Sequence, residues 1–217
     1  MSDLNLLQTL AVWALPVLFA ITLHEAAHGW TANRFGDPTA KMLGRVTLNP
    51  LKHIDPVGTV ILPLALLAIG GFVFGWAKAV PVTMQNFKHP RRDMAWVALA
   101  GPASNLLMAL GWALIFKLGT LLEQTYPSSA QFLIYSGMAG ISINLVLMVL
   151  NLLPLPPLDG SRILAAFLPR KMAWQLDRIE PYGLFILLGL MLLGLLGPLI
   201  MGPYALFQSG IYQFFGL

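Results

Sequence analysis

Residues 4–28 read L-N-L-L-Q-T-L-A-V-W-A-L-P-V-L-F-A-I-T-L-H-E-A-A-H, and this stretch decides the fold class. No Asp, Glu, Lys or Arg occurs from Leu4 to His24. A helix crosses the hydrocarbon core of a bilayer with about 20 mainly apolar residues, so the stretch is long enough to span it. At its end stand three titratable side chains, those of His24, Glu25 and His28.

The composition of the whole chain agrees with a membrane protein. The 217 residues are 57% hydrophobic and only 10% charged, whereas soluble domains average roughly 25% charged residues. No long polar linker interrupts the chain, which favours a single domain over residues 1–217. The first apolar run is too long for a cleavable signal peptide and lacks a basic leader. We therefore expect an integral protein of the lipid bilayer that keeps its first helix.

The charged residues and the missing cysteines exclude two classes of function. The formal net charge of +4 comes without a basic stripe interleaved with aromatic residues, so nucleic acid is not an expected partner. Lys and Arg instead gather in the cytoplasmic loops of membrane proteins. Since the chain has no cysteine, His and carboxylate side chains must supply any metal ligands.

Long gaps between charged residues locate the candidate spans. Five gaps occur, at 4–24, 56–77, 94–116, 124–158 and 181–217. They predict an all-α polytopic membrane protein with about four to six transmembrane helices, the last span lying at about 182–200. Lys and Arg are concentrated in the connections 31–55, 78–93 and 159–180, which places these connections in the cytoplasm and predicts a multi-pass protein of the cell membrane.

Residues 56–77 do not fit a simple crossing, because both of their flanks are basic. Pro63 and the pair Gly70-Gly71 interrupt this stretch. We therefore expect it to enter the bilayer and return, although a true crossing stays open. Residues 71–82, together with 42–49, are expected to form a short membrane-associated β-hairpin or a re-entrant extended segment. The aromatic residues in 203–217 suggest a tail lying along the membrane surface.

The H-E-A-A-H motif at 24–28 has the spacing of a zinc site. On a helix, positions i and i+4 lie about 40° apart around the axis and about 6 Å apart along it. His24 and His28 can therefore bind one ion while Glu25 lies beside it as the base, as in zinc hydrolases. Polar groups in membrane helices are costly and are usually functional. The alternative is a helix end with interfacial His and Glu, capped by Gly29.

A catalytic zinc needs a third protein ligand. The candidates are His53, His89, Glu123 and Asp159. The two histidines sit among basic residues and are expected at the surface, and Glu123 is predicted on the outer side. Asp159 follows N-L-L-P-L-P-P-L at the cytoplasmic end of an apolar segment, where prolines prevent a regular helix. The sequence therefore favours Asp159 as the third ligand and predicts an active site towards the cytoplasm. Without the H-E-A-A-H motif, residues 151–160 would instead indicate a Pro-rich loop that ends in an Asp-Gly turn.

Taken together, these motifs resemble the site-2 protease family, the intramembrane zinc metalloproteases of peptidase family M50. The resemblance is carried by H-E-A-A-H, by G-P-A-S-N at 101–105 and by N-L-L-P-L-P-P-L-D-G at 151–160. The runs at 49–59 and 75–82 are similar to those of compact bacterial members without PDZ or CBS domains. Compact relatives often have Pro where this chain has Ala79.

The resemblance implies one Zn²⁺ ion bound by His24, His28 and Asp159, with Glu25 as the catalytic base that activates the zinc-bound water. It also implies that Asn105 and Asn151 line the site, and either amide could support the transition state. The expected activity is hydrolysis of peptide bonds within or next to the transmembrane segments of other membrane proteins. The sequence predicts neither the substrate nor the oligomeric state.

Two rival functions remain at this stage. A small transporter or channel could use intramembrane His, Asp and Asn side chains as an ion path, but the chain shows no internal repeat of the kind common in secondary transporters. A catalytically inactive relative could act as a binding scaffold, against which the intact Glu25 argues.

Overall fold

A computed structural model describes residues 4–62, 64–65 and 75–217. The complete α-helices in these ranges are α1 (Leu6–Arg34), α2 (Thr39–Met42), α3 (Pro90–Leu122), α4 (Pro127–Leu152), α5 (Asp159–Phe167), α6 (Arg170–Ile179), α7 (Gly183–Leu192) and α8 (Leu196–Phe215). Single 3₁₀ turns occupy Pro50–Lys52, Met84–Asn86 and Glu180–Tyr182, and a π-helical turn occupies Pro56–Ile61. The predicted all-α class is confirmed for the described part of the chain.

Helix α1 begins where its sequence provides a cap. The Asn5 side chain accepts a hydrogen bond from the Gln8 backbone, and the Gln8 side chain accepts one from the Asn5 backbone. This reciprocal pair satisfies two of the N–H groups that the first turn leaves free. The helix then continues through Pro16 to Arg34, so the H-E-A-A-H motif lies in its last third.

Within the described residues, three helices are long and apolar enough to cross a membrane, namely α1, α3 and α4. A fourth span is possible if α6–α7 and α8 count as one, but this pair bends by 85° at the break between Leu192 and Leu196. The expected count of four to six spans is therefore not supported by the described residues. The expected span at 182–200 is divided, because the chain leaves helical geometry at 193–195.

Helices α3 and α4 pack closely because glycines lie at their contact. A Cβ on Gly137 would come within 2.7 Å of the Phe116 backbone nitrogen, and a Cβ on Gly140 would meet the Trp112 ring at 2.1 Å. Small residues allow such approach in membrane helices. The adjoining core consists of Ala109, Ala113, Ile141, Leu145, Met148, Val149 and Ile211.

Residues 203–217, expected as a tail along the membrane surface, pack against other helices of the protein, and their position relative to the bilayer stays a prediction. These residues belong almost wholly to α8, which packs against the α3–α4 pair. Ile211 is buried in their core, the Tyr204 hydroxyl donates to Ser142 Oγ at 3.2 Å, and Lys117 Nζ donates to the Gly216 carbonyl at 2.8 Å. The aromatic side chains of this segment face helices as well as the surroundings, a pattern that composition alone does not separate from an interfacial tail.

The β-hairpin is also not supported. Neither 42–49 nor 75–82 forms a strand in the structure, and residues 71–74 of the expected segment lie outside the described residues. Residues 75–82 are held instead by irregular contacts. The guanidinium of Arg45 donates to the carbonyl of Lys78 at 2.6 Å, and the N–H of Lys78 donates to the His53 carbonyl at 2.9 Å. Side chains and loop carbonyls supply the bonds that a neighbouring strand would have made.

The two ends of residues 56–77 lie together. The Trp76 N–H donates to the Gly58 carbonyl at 3.1 Å, and Thr59 Oγ1 donates to the Trp76 carbonyl at 2.8 Å. A single crossing would separate the two ends by the roughly 30 Å of the hydrocarbon core. The adjacent ends argue against a single crossing; residues 63 and 66–74 fall outside the described residues, so entry of the segment into the bilayer stays a prediction.

A buried carboxylate joins α2 and the segment after residue 82 to the end of α1. Asp37 accepts four hydrogen bonds, from Thr39 N, Thr39 Oγ1, Thr83 N and Asn86 Nδ2, at 2.5–3.1 Å. Burial by itself raises the pKa of Asp37, but these donors outweigh it and lower the pKa below its ordinary value. Asp37 thus anchors the segment that passes the site.

Candidate metal centre

Three side chains from two helices meet at one point. Helix α1 contributes His24 and His28, and Asp159 is the first residue of α5. The His24 and His28 Nε2 atoms are 3.0 Å apart, and each lies 3.3 Å from Asp159 Oδ2. The structure therefore brings together the three residues that the sequence singled out. Helix α4 ends at Leu152, and the proline-rich residues that follow lead Asp159 back to α1.

Hydrogen bonds orient both imidazole rings. The His28 Nδ1 atom lies 2.7 Å from the Val97 carbonyl, which can only accept, so this nitrogen carries the proton. The His24 Nδ1 atom lies 2.6 Å from Asn105 Oδ1 and donates to it in the same way. Each Nε2 atom is therefore left with a lone pair, and both lone pairs face Asp159.

This arrangement fits a bound cation. Two Nε2 lone pairs and a carboxylate oxygen face one another at close range, and the buried Oδ2 of Asp159 has no hydrogen-bond donor among the described residues. Three converging acceptors repel one another unless a cation lies between them. Tetrahedral zinc with bonds of about 2.0–2.1 Å places its ligand atoms about 3.3 Å apart, which agrees with the observed separations of 3.0–3.3 Å.

Two glycines of the quoted motifs make room for this centre. A Cβ on Gly101 in α3 would lie 2.5 Å from the His28 ring and 2.6 Å from the His24 ring. A Cβ on Gly160 would lie 2.3 Å from the carbonyl oxygen of Leu152. Gly101 thus lets α3 pass beside both imidazoles, and Gly160 lets the start of α5 approach the end of α4.

Glu25 is separate from the three converging side chains and contacts a different part of the chain. Its Oε2 atom accepts a hydrogen bond from the backbone N–H of Val80 at 2.8 Å. The side chain is half-buried. The segment that precedes Thr83 therefore holds one oxygen of the carboxylate that the sequence identifies as a base.

The two predicted asparagines have different surroundings. Asn105 is fully buried, and its Nδ2 donates both to the Ala20 carbonyl at 3.2 Å and to Asn144 Oδ1 at 2.9 Å. With its oxygen accepting from His24, its hydrogen bonds are all in use. Asn151 is half-buried in the last turn of α4 and donates to the Leu147 carbonyl at 3.0 Å.

The sequence analysis missed Asn144, a polar residue of this network. Asn144 is fully buried in the middle of α4 and contacts Asn105. An amide within an uncharged apolar run was the available signal, since polar groups in membrane helices are usually functional.

His53 was expected at the surface but is only 1% exposed, and its Nε2 lies 3.0 Å from the Thr47 carbonyl. The expectation rested on its basic neighbours in the sequence, which do not determine whether the ring is buried. His89 is exposed, as expected.

A cleft of about 490 Å³ lies along α5 and α6 and carries charged groups. Arg162, one helical turn after Asp159, lines it together with Val82 and Met84. Further along the cleft are Arg91, Arg170, Asp177 and Glu180. His24, His28 and Asp159 are not among the described residues that line this cleft.

Comparison with known proteins gives consistent matches. The model of the family described as "Peptidase family M50" matches residues 117–194. The "Putative zinc metalloprotease YwhC" of Bacillus subtilis is 40% identical over 173 residues, which are 79% of this chain and 76% of that protein. The "Putative zinc metalloprotease Rip2" of Mycolicibacterium smegmatis is 34% identical over 176 residues, 81% of this chain and 64% of the relative. No solved structure is significantly similar to the chain.

Proposed function

Because this chain belongs to peptidase family M50 and is a zinc metalloprotease, we propose that it hydrolyses peptide bonds within or next to transmembrane segments of other membrane proteins. The observation that carries the proposal is the meeting of three acceptor atoms, from His24, His28 and Asp159, beside spanning helices. A peptidase of soluble substrates would have no need to embed its centre between such helices.

We assign the zinc that the family implies to these three side chains. Bound Zn²⁺ supplies Lewis-acid chemistry, since it polarises a carbonyl and lowers the pKa of water towards about 7. The protein's part is to present two imidazole lone pairs and one carboxylate oxygen in fixed orientations. The contacts of both Nδ1 atoms, to Asn105 and to Val97, fix the orientations of the two rings.

Glu25 is proposed as the general base. With one oxygen held by the Val80 N–H, its carboxylate has limited freedom to rotate. It would take a proton from the attacking water and deliver it to the nitrogen of the departing amine. A positioned carboxylate commonly contributes 10²–10⁴-fold to such proton transfers.

Asn151 is the remaining candidate for supporting the negative charge that develops on the scissile carbonyl oxygen. The amide hydrogens of Asn105 are committed to Ala20 and Asn144. Asn151 has one recorded amide contact, to Leu147 in its own helix, and its half-exposed side chain can offer a second N–H. A donor of this kind is commonly worth a few kcal/mol in the transition state.

Residues 75–82 are proposed to receive the substrate backbone. A transmembrane helix hides its peptide bonds in its own hydrogen bonds and must unwind to be cut. The N–H groups of Trp76, Lys78 and Val80 all have partners within the protein. In an extended backbone, successive N–H groups point to opposite edges. The N–H groups of residues 76, 78 and 80 therefore share the edge that faces the protein, and the N–H of Ala77 points to the opposite edge. The Ala77 N–H has no backbone partner among the described residues, and this edge could add to an unwound substrate.

The proposed orientation places the metal centre towards the cytoplasm. The protein is a membrane protein with several apolar helices, and its Lys and Arg residues are concentrated on the connections near the centre, as the positive-inside rule requires of cytoplasmic loops. The transporter reading is not favoured, because the relatives are named as metalloproteases.

The test compares the wild-type protein with Glu25→Gln. Both are purified in detergent, their zinc content is measured, and each is incubated with a model transmembrane substrate. We expect equal zinc content and cleavage by the wild type alone. Glu123→Gln is the matched control, because it makes the same change at an exposed position at the end of α3. Cleavage by Glu25→Gln at the wild-type rate would rule out the assigned base, and ion flux without cleavage would favour a transporter.

A further inference from the structure

We propose that Asn144 is a positioning residue for the metal centre, acting on His24 through Asn105. The inference rests on the metal site proposed above. Three contacts define the path: Asn144 Nδ2 donates to the Gly140 carbonyl at 2.9 Å, Asn105 Nδ2 donates to Asn144 Oδ1 at 2.9 Å, and His24 Nδ1 donates to Asn105 Oδ1 at 2.6 Å. The path connects α4 to α1 by way of α3.

Backbone carbonyls fix the direction of every bond in this path. The Gly140 carbonyl can only accept, so the NH₂ group of Asn144 faces it and the oxygen of Asn144 faces Asn105. The Ala20 carbonyl likewise requires the NH₂ group of Asn105. The oxygen of Asn105 is therefore turned towards His24, which must donate from Nδ1 and keep Nε2 free for a metal.

The apolar surroundings of Asn144 indicate that this polar side chain has a role in the protein. Both Asn105 and Asn144 are 0% exposed, and α4 carries no charged residue. A buried amide without partners is costly in apolar surroundings. Here every amide hydrogen bond of the pair serves either the backbone or the next member of the path, and the path ends on a proposed zinc ligand.

Loss of Asn144 should act on metal binding more than on folding. Asn105 would keep its bond to Ala20 but lose the acceptor for its other amide hydrogen. Its amide plane would then be free to tilt, and the His24 ring would lose part of its restraint. Groups that orient a metal-bound histidine commonly change metal affinity by 10–100-fold when removed. Asn144 is one step further away and should have a smaller effect.

The competing explanation is that Asn144 only joins helices. Interhelical amide contacts do stabilise membrane bundles, and such a role would lower stability without a specific effect on the metal. Leu145 provides the matched control. It is the next residue of α4, it is equally buried and it belongs to the apolar core rather than to the path.

The experiment measures affinity for Zn²⁺ and the visible spectrum of bound Co²⁺ in wild type, Asn144→Leu, Asn105→Leu and Leu145→Ala. Leu is close in shape to Asn but has no hydrogen-bonding group, and Asn144→Ala is measured beside it so that the result does not depend on one variant folding. We expect the zinc dissociation constant to rise about 5–10-fold for Asn144→Leu and 10–100-fold for Asn105→Leu, with an altered Co²⁺ spectrum in both. Leu145→Ala should unfold at lower temperature but keep the wild-type metal affinity.

A double variant decides whether Asn144 acts through Asn105. If it does, Asn144→Leu adds little to the effect of Asn105→Leu, since both interrupt one path. An additive effect on zinc affinity, or an Asn144→Leu affinity within twofold of wild type, would overturn the inference while leaving the proposed function standing. Wild-type protein that binds no zinc would overturn the proposed function and this inference with it.

Discussion

The backbone N–H of Val80 donates to the carboxylate of Glu25 at 2.8 Å, although the two residues are 55 positions apart in the chain. This bond ties the proposed base to the segment proposed to receive the substrate. The same segment is held by Arg45 on one side of Val80 and by Asp37 on the other. The position of the proposed base and the position of the substrate are therefore linked through the backbone of residues 75–82.

Val80→Pro should impair catalysis without releasing zinc, because proline has no N–H to donate to Glu25. Loss of a hydrogen bond to a charged group is worth about 1.5–3 kcal/mol, so we expect the turnover rate to fall about 10–100-fold. Val80→Ala keeps the N–H and should be much less affected. Turnover and zinc content are measured for both; equal turnover of the Pro and Ala variants would show that the bond does not position the base.

Ala77→Pro tests the proposed edge for substrate binding. This change removes an N–H that the proposal offers to the substrate while leaving the donors at Lys78 and Val80 in place. We expect a rise of about fivefold in KM, which corresponds to one lost hydrogen bond of about 1 kcal/mol. Ala77→Val retains the N–H and is the control. A KM that is the same in the Pro and Val variants would argue against the edge.

Gly101→Ala should weaken zinc binding although alanine is the better helix former by about 1 kcal/mol. The added Cβ would lie 2.5–2.6 Å from the two imidazole rings and would push them apart. We expect zinc affinity to fall by about 100-fold or more, beyond the effect of losing one outer hydrogen-bond partner.

Gly111→Ala in the same helix is the control, because no atom lies within 4 Å of its added Cβ. This variant should bind zinc as the wild type does and should be no less stable. Zinc titration and thermal unfolding of the two variants give the comparison. Unchanged zinc affinity in Gly101→Ala would mean that the rings can move aside without cost.

Asp37 should make the stability of the protein depend on pH in the acid range. Its folded pKa lies below the ordinary value of about 3.9. The stabilisation is therefore complete above the ordinary pKa and is lost as the pH falls through the folded pKa. Asp37→Asn removes the charge that four donors face, and we expect it to unfold roughly 3–8 °C lower at pH 7.

The difference in unfolding temperature between wild type and Asp37→Asn should be constant down to about pH 4 and should shrink as the pH falls further, because the carboxyl group is then protonated first in the unfolded chain and at still lower pH in the folded protein. Thermal unfolding in detergent at several pH values is the measurement. A constant difference over the whole range would show that the charge of Asp37 contributes nothing.

The convergence of His24, His28 and Asp159 could be predicted because much of it depends on local spacing. His24 and His28 lie one helical turn apart, so any helix through residues 24–28 places both rings on one side. Asp159 could be added because the chain has no cysteine and few buried carboxylates to choose from. The role of Gly101 could not be inferred in this way, since nothing in its own helix shows that two imidazole rings pass beside it.

In two other segments, contacts with distant residues decided a structure that composition did not predict. Residues 75–82 have the β-branched and aromatic content of a strand, but their hydrogen bonds go to Arg45, His53 and Glu25 rather than to a neighbouring strand. The expected tail at 203–217 is helical because α3 and α4 offer it an apolar surface. In both cases, the distant partner of the segment decided its structure.

The sequence by itself determined that the chain is a membrane protein and that a candidate metal site lies in the last third of its first helix, because uncharged length and residue spacing are properties of one segment. Only the tertiary structure decided which amides and backbone groups orient that site. The partners of His24, Glu25 and Asn105 come from other helices and loops. A hydrogen bond across such distances in the chain depends on how whole helices pack, which no short pattern records.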